Sequence, residues 1–228
     1  MHSNRARIVA GLTLTAGTAA AAYPLLFRRW CLTWGATAEE ITRKLPGDDL
    51  LPAAGLVSTR AVTIDAPPEA IWPWLAQMGS GRGGAYTYDW IENLLGLQMH
   101  SAQAILPQFQ DLKAGDELPM GWGRPAMRVE VCDPGRVLAV RYADGNWVWI
   151  FALLPVNGQT RLVSRNRIST PGASVAVRLL YLLVMEPGSL IMERKMLLGI
   201  KQRAENLARG GEQQPAPGAA VAAASAPR

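Results

Sequence analysis

The densest set of side chains able to do chemistry is Tyr86, Tyr88, Asp89, Glu92, Asn93 and His100. Phenols, carboxylates and an imidazole held in one pocket are the usual equipment for moving protons. The plainer reading, taken here, is that Asp89 and Glu92 cap and solvate a short helix while the tyrosines pack with wet hydroxyls. His100 is the only histidine inside the domain, so no metal site and no metal are expected. Just upstream, Gly79, Gly81 and Gly84 match a G-x-G-x-x-G run. A dinucleotide site needs that run between a strand and a helix in a βαβ unit; here it follows a helix, so it reads as a turn and no cofactor is expected. Arg82 within it is placed near a cavity entrance, able to meet a carboxylate or a phosphate. Cys31 and Cys132 lack metal-ligand spacing and a nucleophile's partners. No catalytic residue is assigned.

Two apolar patterns surround this cluster. Trp147, Trp149, Phe151 and Leu153 share one face of a strand by its two-residue period, and Val148, Ile150, Ala152 and Leu154 share the other. With both faces apolar, one can pack while the other lines a cavity. Met192, Met196 and Ile200 form one face of a long amphipathic helix, and Gly199 allows close approach. These residues, with Arg82, Tyr86, Tyr88, Asn93 and His100 at the rim or interior, make the expected ligand site. Arg161, Arg165 and Arg167 alternate with Leu162, Ser164, Asn166 and Ile168 and read as a solvated outer face, the alternative being an inward Arg165 that pairs with a ligand acid.

The elements that must position them follow from periodicity and turn signals. Thr59–Asp65 reads as a strand. Ile71, Trp74, Leu75 and Met78 give one face of a helix that Pro73 kinks or shortens. A second short helix covers Tyr88–Leu95. From Asp116 to Ile168 at least four strands follow, joined by the tight turns Asp133-Pro134-Gly135, Asp144-Gly145 and Asn157-Gly158. Ser174–Met185 reads as an apolar helix broken by Glu186-Pro187-Gly188, and Ser189–Leu207 as the long closing helix. Helices segregated to one side of an antiparallel sheet define an α+β fold. A curved sheet wrapped around the C-terminal helix would enclose a hydrophobic cavity.

Around this domain, taken as residues 59–208, lie three other segments. Ile8–Phe27 carries no charge and is flanked by Arg5, Arg7, Arg28 and Arg29. About twenty such residues span a bilayer. Two readings stay open for residues 1–29: a single-pass anchor, with the protein at the membrane through residues 8–27, or a signal segment cleaved near Ala19–Ala22, with the domain secreted. The arginines after the stretch favour retention. Residues 30–58 form a lead-in, in which Thr37-Ala-Glu-Glu40 is a capping box. Residues 209–228 are rich in Gly, Pro, Ala and Gln and are expected to be disordered. The net charge of +5 comes from scattered single or paired basic residues, which excludes the basic stripe that nucleic acid needs.

The stretch Ile64-Asp-Ala-Pro-Pro-Glu-Ala-Ile-Trp-Pro-Trp-Leu75 resembles the first strand and helix of the SRPBCC superfamily, the helix-grip group of START lipid-transfer domains, Bet v 1-like proteins and polyketide cyclases. Arg82-Gly-Gly-Ala-Tyr86, Tyr88-Asp-Trp-Ile-Glu-Asn93, Met99-His-Ser101 and Met192-Glu-Arg-Lys-Met196-Leu-Leu-Gly-Ile200 look like a bacterial subgroup of it. The resemblance covers about Gly35 to Leu207 and implies the fold more than the function. Three functions are carried forward. The first is membrane-associated binding or transport of a hydrophobic small molecule such as a lipid, isoprenoid or polyketide-like compound. The second is a cyclase or dehydratase in the same cavity. The third is an interaction domain with a solid interior.

Overall fold

The computed structural model describes residues 23–121 and 123–210. The reading of Ile8–Phe27 as an anchor or signal therefore lies outside the described residues up to position 22, as does the reading of the tail beyond position 210.

A π-helical turn, Tyr23–Phe27, leads into α1 (Arg28–Leu32). The capping box is present: Thr37 and Glu40 bond each other's backbone N–H groups at the start of α2 (Ala38–Thr42). Then come β1 (Leu56–Ile64), α3 (Pro68–Ala76) and α4 (Asp89–Leu94). Strands β2 (Glu117–Leu118), β3 (Met127–Asp133), β4 (Val137–Tyr142), β5 (Trp147–Val156) and β6 (Gln159–Ile168) complete the sheet. Last are α5 (Val175–Leu180), a π turn (Tyr181–Met185) and α6 (Glu186–Ala208). The strands form one antiparallel sheet in the order β1-β6-β5-β4-β3-β2. Helix α6 lies over one face of this curved sheet beside α3, the α+β arrangement expected from the sequence.

The expected break at Glu186-Pro187-Gly188 does not occur. The helix runs through it, with Pro187 in the first turn of α6 and the π turn immediately before. Proline lacks an N–H and collides with the carbonyl four residues back; widening the preceding turn is one way to relieve that conflict.

Strand β5 shows why both its faces are apolar. Phe151 and Leu153, with Trp147 and Trp149 packed beside them, face the core shared with α3 and α6. Val148, Ile150 and Ala152 face a second core closed by Leu45, Leu50 and Leu51 of the lead-in. The lead-in is thus a strap across the back of the sheet. The arginines of β6 hold it, which corrects their reading as a solvated face. Arg161 bonds Glu40 at 2.8 Å and the Gly35 carbonyl at 2.7 Å. Arg165 meets Asp48 at 2.7 Å and donates to the carbonyls of Glu40 and Arg43. Arg167 donates to the carbonyls of Leu51 and Pro52. The acceptors are carbonyls and carboxylates of a segment that comes to rest against the sheet only on folding, and a strand pattern does not reveal that.

Candidate functional site

Between α6 and the sheet lies a cavity of about 440 Å³. That is within the range of small-molecule sites. Its wall is mostly apolar and draws on β4, β5, α6 and the 85–99 loop region, with Leu138, Val140, Phe151, Met120, Met127 and Met196 among its lining. Unbranched methionines suit an adaptable wall.

On β5, Trp147 stacks on Trp149 with ring centres 5.8 Å apart, and Trp149 meets Phe151 at 4.8 Å. Each indole N–H must find an acceptor when it leaves water. Trp147 donates to Asn166 Oδ1 and Trp149 to Ser164 Oγ, both at 2.8 Å. These partners sit opposite on β6, since Trp149 pairs with Asn166 and Phe151 with Ser164.

The polar chain continues inward. Asn166 Nδ2 donates to Glu193 Oε2 at 3.2 Å, and Arg60 Nη1 pairs with that same oxygen. Arg60 is wholly buried and also donates to the Cys31 carbonyl and to Ser189 Oγ, each at 3.0 Å. The other carboxyl oxygen of Glu193, Oε1, has no partner among the described residues, and the residue lines the cavity. Burial pushes its carboxyl above the ordinary value, against the pull of Arg60 and of the Ser164 hydroxyl.

A second carboxyl lines the same cavity. Glu92 of α4 is buried beside the Thr87 hydroxyl, and among the described residues its Oε2 forms no hydrogen bond of full geometry. Burial raises the Glu92 carboxyl, the Thr87 hydroxyl pulls it back, and the nearby Asp89 raises it further. The cavity is therefore apolar with two buried acids among its lining residues. Such a wall can orient the polar end of an apolar molecule, or hold a proton near it.

Sequence reasoning missed Glu193 and set Glu92 in solvent. The signal for Glu193 was present: it precedes Met196 by three residues and Ile200 by seven, which puts an acid on the apolar stripe of α6. For Glu92 the sequence carries no such sign, because a six-residue helix can turn either face inward.

Of the residues expected at the site, the structure brings Trp147, Trp149, Met192 and Met196 to the cavity wall. The rest lie elsewhere. Ile200 is fully buried core behind the wall. Arg82 turns back on its own chain: it donates to the carbonyls of Met78 and Ala76 at 3.1 and 2.9 Å, tying up groups left over at the end of α3, and stacks 4.3 Å over Phe109. Asn93 closes a loop by bonding both the N–H and the carbonyl of Met99, at 2.7 and 3.0 Å. His100 is exposed, with its carbonyl close against Gly84. Tyr86 and Tyr88 face a different concavity, an open groove of about 1250 Å³ on the other side of α6. There Arg203 lies 4.9 Å over the Tyr86 ring and Lys195 lies 5.7 Å over Tyr88. The Tyr86 hydroxyl is spent on the Trp74 carbonyl at 2.9 Å. Asp89 is likewise occupied, accepting from the N–H and hydroxyl of Ser101 at 2.8 and 2.6 Å. The acid–base cluster read from the sequence is thus dispersed by folding. Among the described residues no group of three or more His, Cys, Asp or Glu is placed to hold a metal ion.

An antiparallel sheet gripping a long C-terminal helix over an apolar cavity defines a helix-grip protein. Several solved structures are similar to this chain. The aromatase/cyclase Zhui from Streptomyces sp. R1128 matches at 16% identity, covering 70% of this chain and 99% of its own, with a TM-score of 0.44. The KanY protein matches at 16% identity, over 66% of this chain and 97% of its own, with a TM-score of 0.44. A polyketide-cyclase-like protein from Corynebacterium glutamicum matches at 14% identity, over 70% and 97%, with a TM-score of 0.42. No protein-family model matches the chain, and no curated protein does.

Proposed function

We propose that this domain binds one hydrophobic small molecule, lipid-, isoprenoid- or polyketide-like, with its apolar body against the Trp147–Trp149–Phe151 wall and a polar end at Glu193 or Glu92. The apolar stretch 8–27 would hold the domain at a membrane, near the source of such a ligand. The observation that carries the reading is the 440 Å³ cavity, whose wall is apolar but for a few polar side chains, Glu92 and Glu193 among them. An open interior of this size also speaks against a solidly packed interaction domain.

A cyclase or dehydratase is the second reading, and the raised carboxyl of Glu92 favours it. A carboxyl raised by an apolar pocket is better able to hold a proton for a carbonyl or a leaving hydroxyl.

Mass spectrometry of the ligand that copurifies with the full chain separates the two, because a carrier returns it intact and an enzyme returns it changed. Met196→Trp tests the cavity itself. In a solid core the larger ring would cost about 1–3 kcal/mol; in this cavity it should cost less and abolish binding of a fluorescent fatty acid. A large stability loss, with no apolar probe bound by the parent, removes both readings.

A further inference from the structure

Helix α5 and the π turn after it are apolar on every side and buried on none. In Val175–Met185 the only charge is Arg178, and no residue is buried. Val175 keeps 74% of its surface and Val184 55%. A helix that is hydrophobic all round normally lies inside a large protein or in lipid, and monomeric soluble proteins seldom expose such a patch.

The other apolar exposure starts from the same point. Leu25, Leu26, Phe27 and Trp30 are exposed, and their segment is pinned to the start of α6. Arg28 pairs with Glu186 at 2.9 Å, Tyr23 donates to the same carboxylate at 3.2 Å, and the Cys31 thiol meets the Glu186 carbonyl at 3.3 Å. Both segments also form part of the cavity wall, through Leu32, Tyr181 and Met185. Met185, a lining residue, is itself half exposed.

We infer that Val175–Met185 and Leu25–Trp30 together form a collar that sinks into the surface of an anionic lipid bilayer, placing the side of the cavity lined by Tyr181 and Met185 against the acyl chains. Three observations choose lipid as the occupant. The chain entering the collar at Tyr23 comes from fifteen uncharged residues, 8–22. Glu186 is the only carboxylate in residues 23–34 and 169–192; it is buried and paired, while Arg29 and Arg178 are exposed. This is the charge pattern that favours anionic headgroups. The length also fits a docked rather than a spanning element. Val175–Ala208 is long and apolar enough by composition to cross a membrane, yet its α6 part is core over the sheet. The eleven residues left over reach about 16 Å against a hydrocarbon thickness of about 30 Å.

The inference shares the membrane with the proposed function but does not depend on the cavity being filled. Its test uses the full chain with Cys132→Ser, leaving Cys31 buried, and an environment-sensitive fluorophore on Leu180→Cys, Val184→Cys or, as reference, Gln159→Cys at the far end of the sheet. The vesicles are equal parts phosphatidylcholine and phosphatidylglycerol, with or without a nitroxide on the acyl chains. Emission from positions 180 and 184 should shift to the blue and lose most of its intensity to the nitroxide, while position 159 does neither. Emission at 180 and 184 unchanged from water overturns the collar. A blue shift that the nitroxide leaves untouched, and that grows with protein concentration, also overturns it, by showing a second copy on this face. Fatty-acid binding in detergent is measured separately, so an empty cavity would sink the proposed function and leave the collar standing.

Discussion

Replacing Glu193 by leucine should be among the most damaging single changes in this domain. Arg60 has no exposed surface, and Glu193 supplies its countercharge from α6. The remaining partners of the guanidinium, the Cys31 carbonyl and Ser189 Oγ, are neutral. Breaking a buried pair by removing one partner costs about 3–5 kcal/mol. For a domain of this size each kcal/mol moves the melting temperature by about 2–4 °C, so the loss should be roughly 6–20 °C. The converse change should be milder. With Arg60→Met, the carboxyl that burial has already raised can take a proton, whereas a guanidinium cannot shed one. That variant should weaken as pH rises, because the folded state then favours the protonated acid over the unfolded chain and loses this advantage as Glu193 is forced to ionise. The double variant Arg60→Met/Glu193→Leu should recover most of the loss, since apolar groups of similar volume replace both charges. Thermal denaturation of the four proteins, monitored by circular dichroism at two pH values, completes the cycle. A Glu193→Leu protein within about 1 kcal/mol of the parent, or no worse than Arg60→Met, refutes the reasoning.

Glu92→Gln should flatten the pH dependence of stability. The raised Glu92 carboxyl contributes stability below its ordinary value of 4.5 and loses it as pH climbs through the raised value, so melting temperatures from about pH 5 to about pH 8 should fall less in the variant than in the parent. Gly199→Ala tests how closely α6 approaches the loop before α4. The added methyl would sit 2.7 Å from the Tyr86 carbonyl oxygen, a backbone atom. Alanine's helix advantage of about 1 kcal/mol should be outweighed, leaving a net loss of about 1–3 kcal/mol in urea denaturation; a stabilised variant would contradict the packing.

The elements were legible where local chemistry decides them. The β5 alternation marked a strand buried on both faces, and Thr37 with Glu40 marked the start of α2. Pro187 misled because a break and a widened turn carry the same residues. The site was legible only in its apolar half. Trp147, Trp149, Met192 and Met196 announce a wall through their spacing, which strands and helices preserve. The polar half depends on tertiary placement: Arg60 on the first strand, Asn166 on the last and Glu193 on the final helix meet only after the sheet closes. The conspicuous local cluster around Tyr86 and His100 dispersed for the opposite reason, since each of Asp89, Asn93 and Tyr86 bonds its own loop or the neighbouring helix.

Strand order has a kinetic consequence. β1 finds its partner in β6, the last strand made; Thr59 and Arg165 are bonded at a sequence separation of 106, and the strap's Glu40 reaches Arg161 at one of 121. During synthesis the amino-terminal quarter of the chain therefore emerges with its pairing edge and its acidic anchors vacant, while the β3–β4 and β5–β6 hairpins can form at once from near neighbours. Pairings so remote in sequence make folding slow and leave strand edges open to wrong partners in the interval. The arginines of β6 arrive with the strand that ends the wait, so one event both completes the sheet and fastens the strap. Truncation before Ile168 should accordingly yield a chain that cannot hold either, and a mutation in β6 should damage folding yield more than its share of buried surface would suggest.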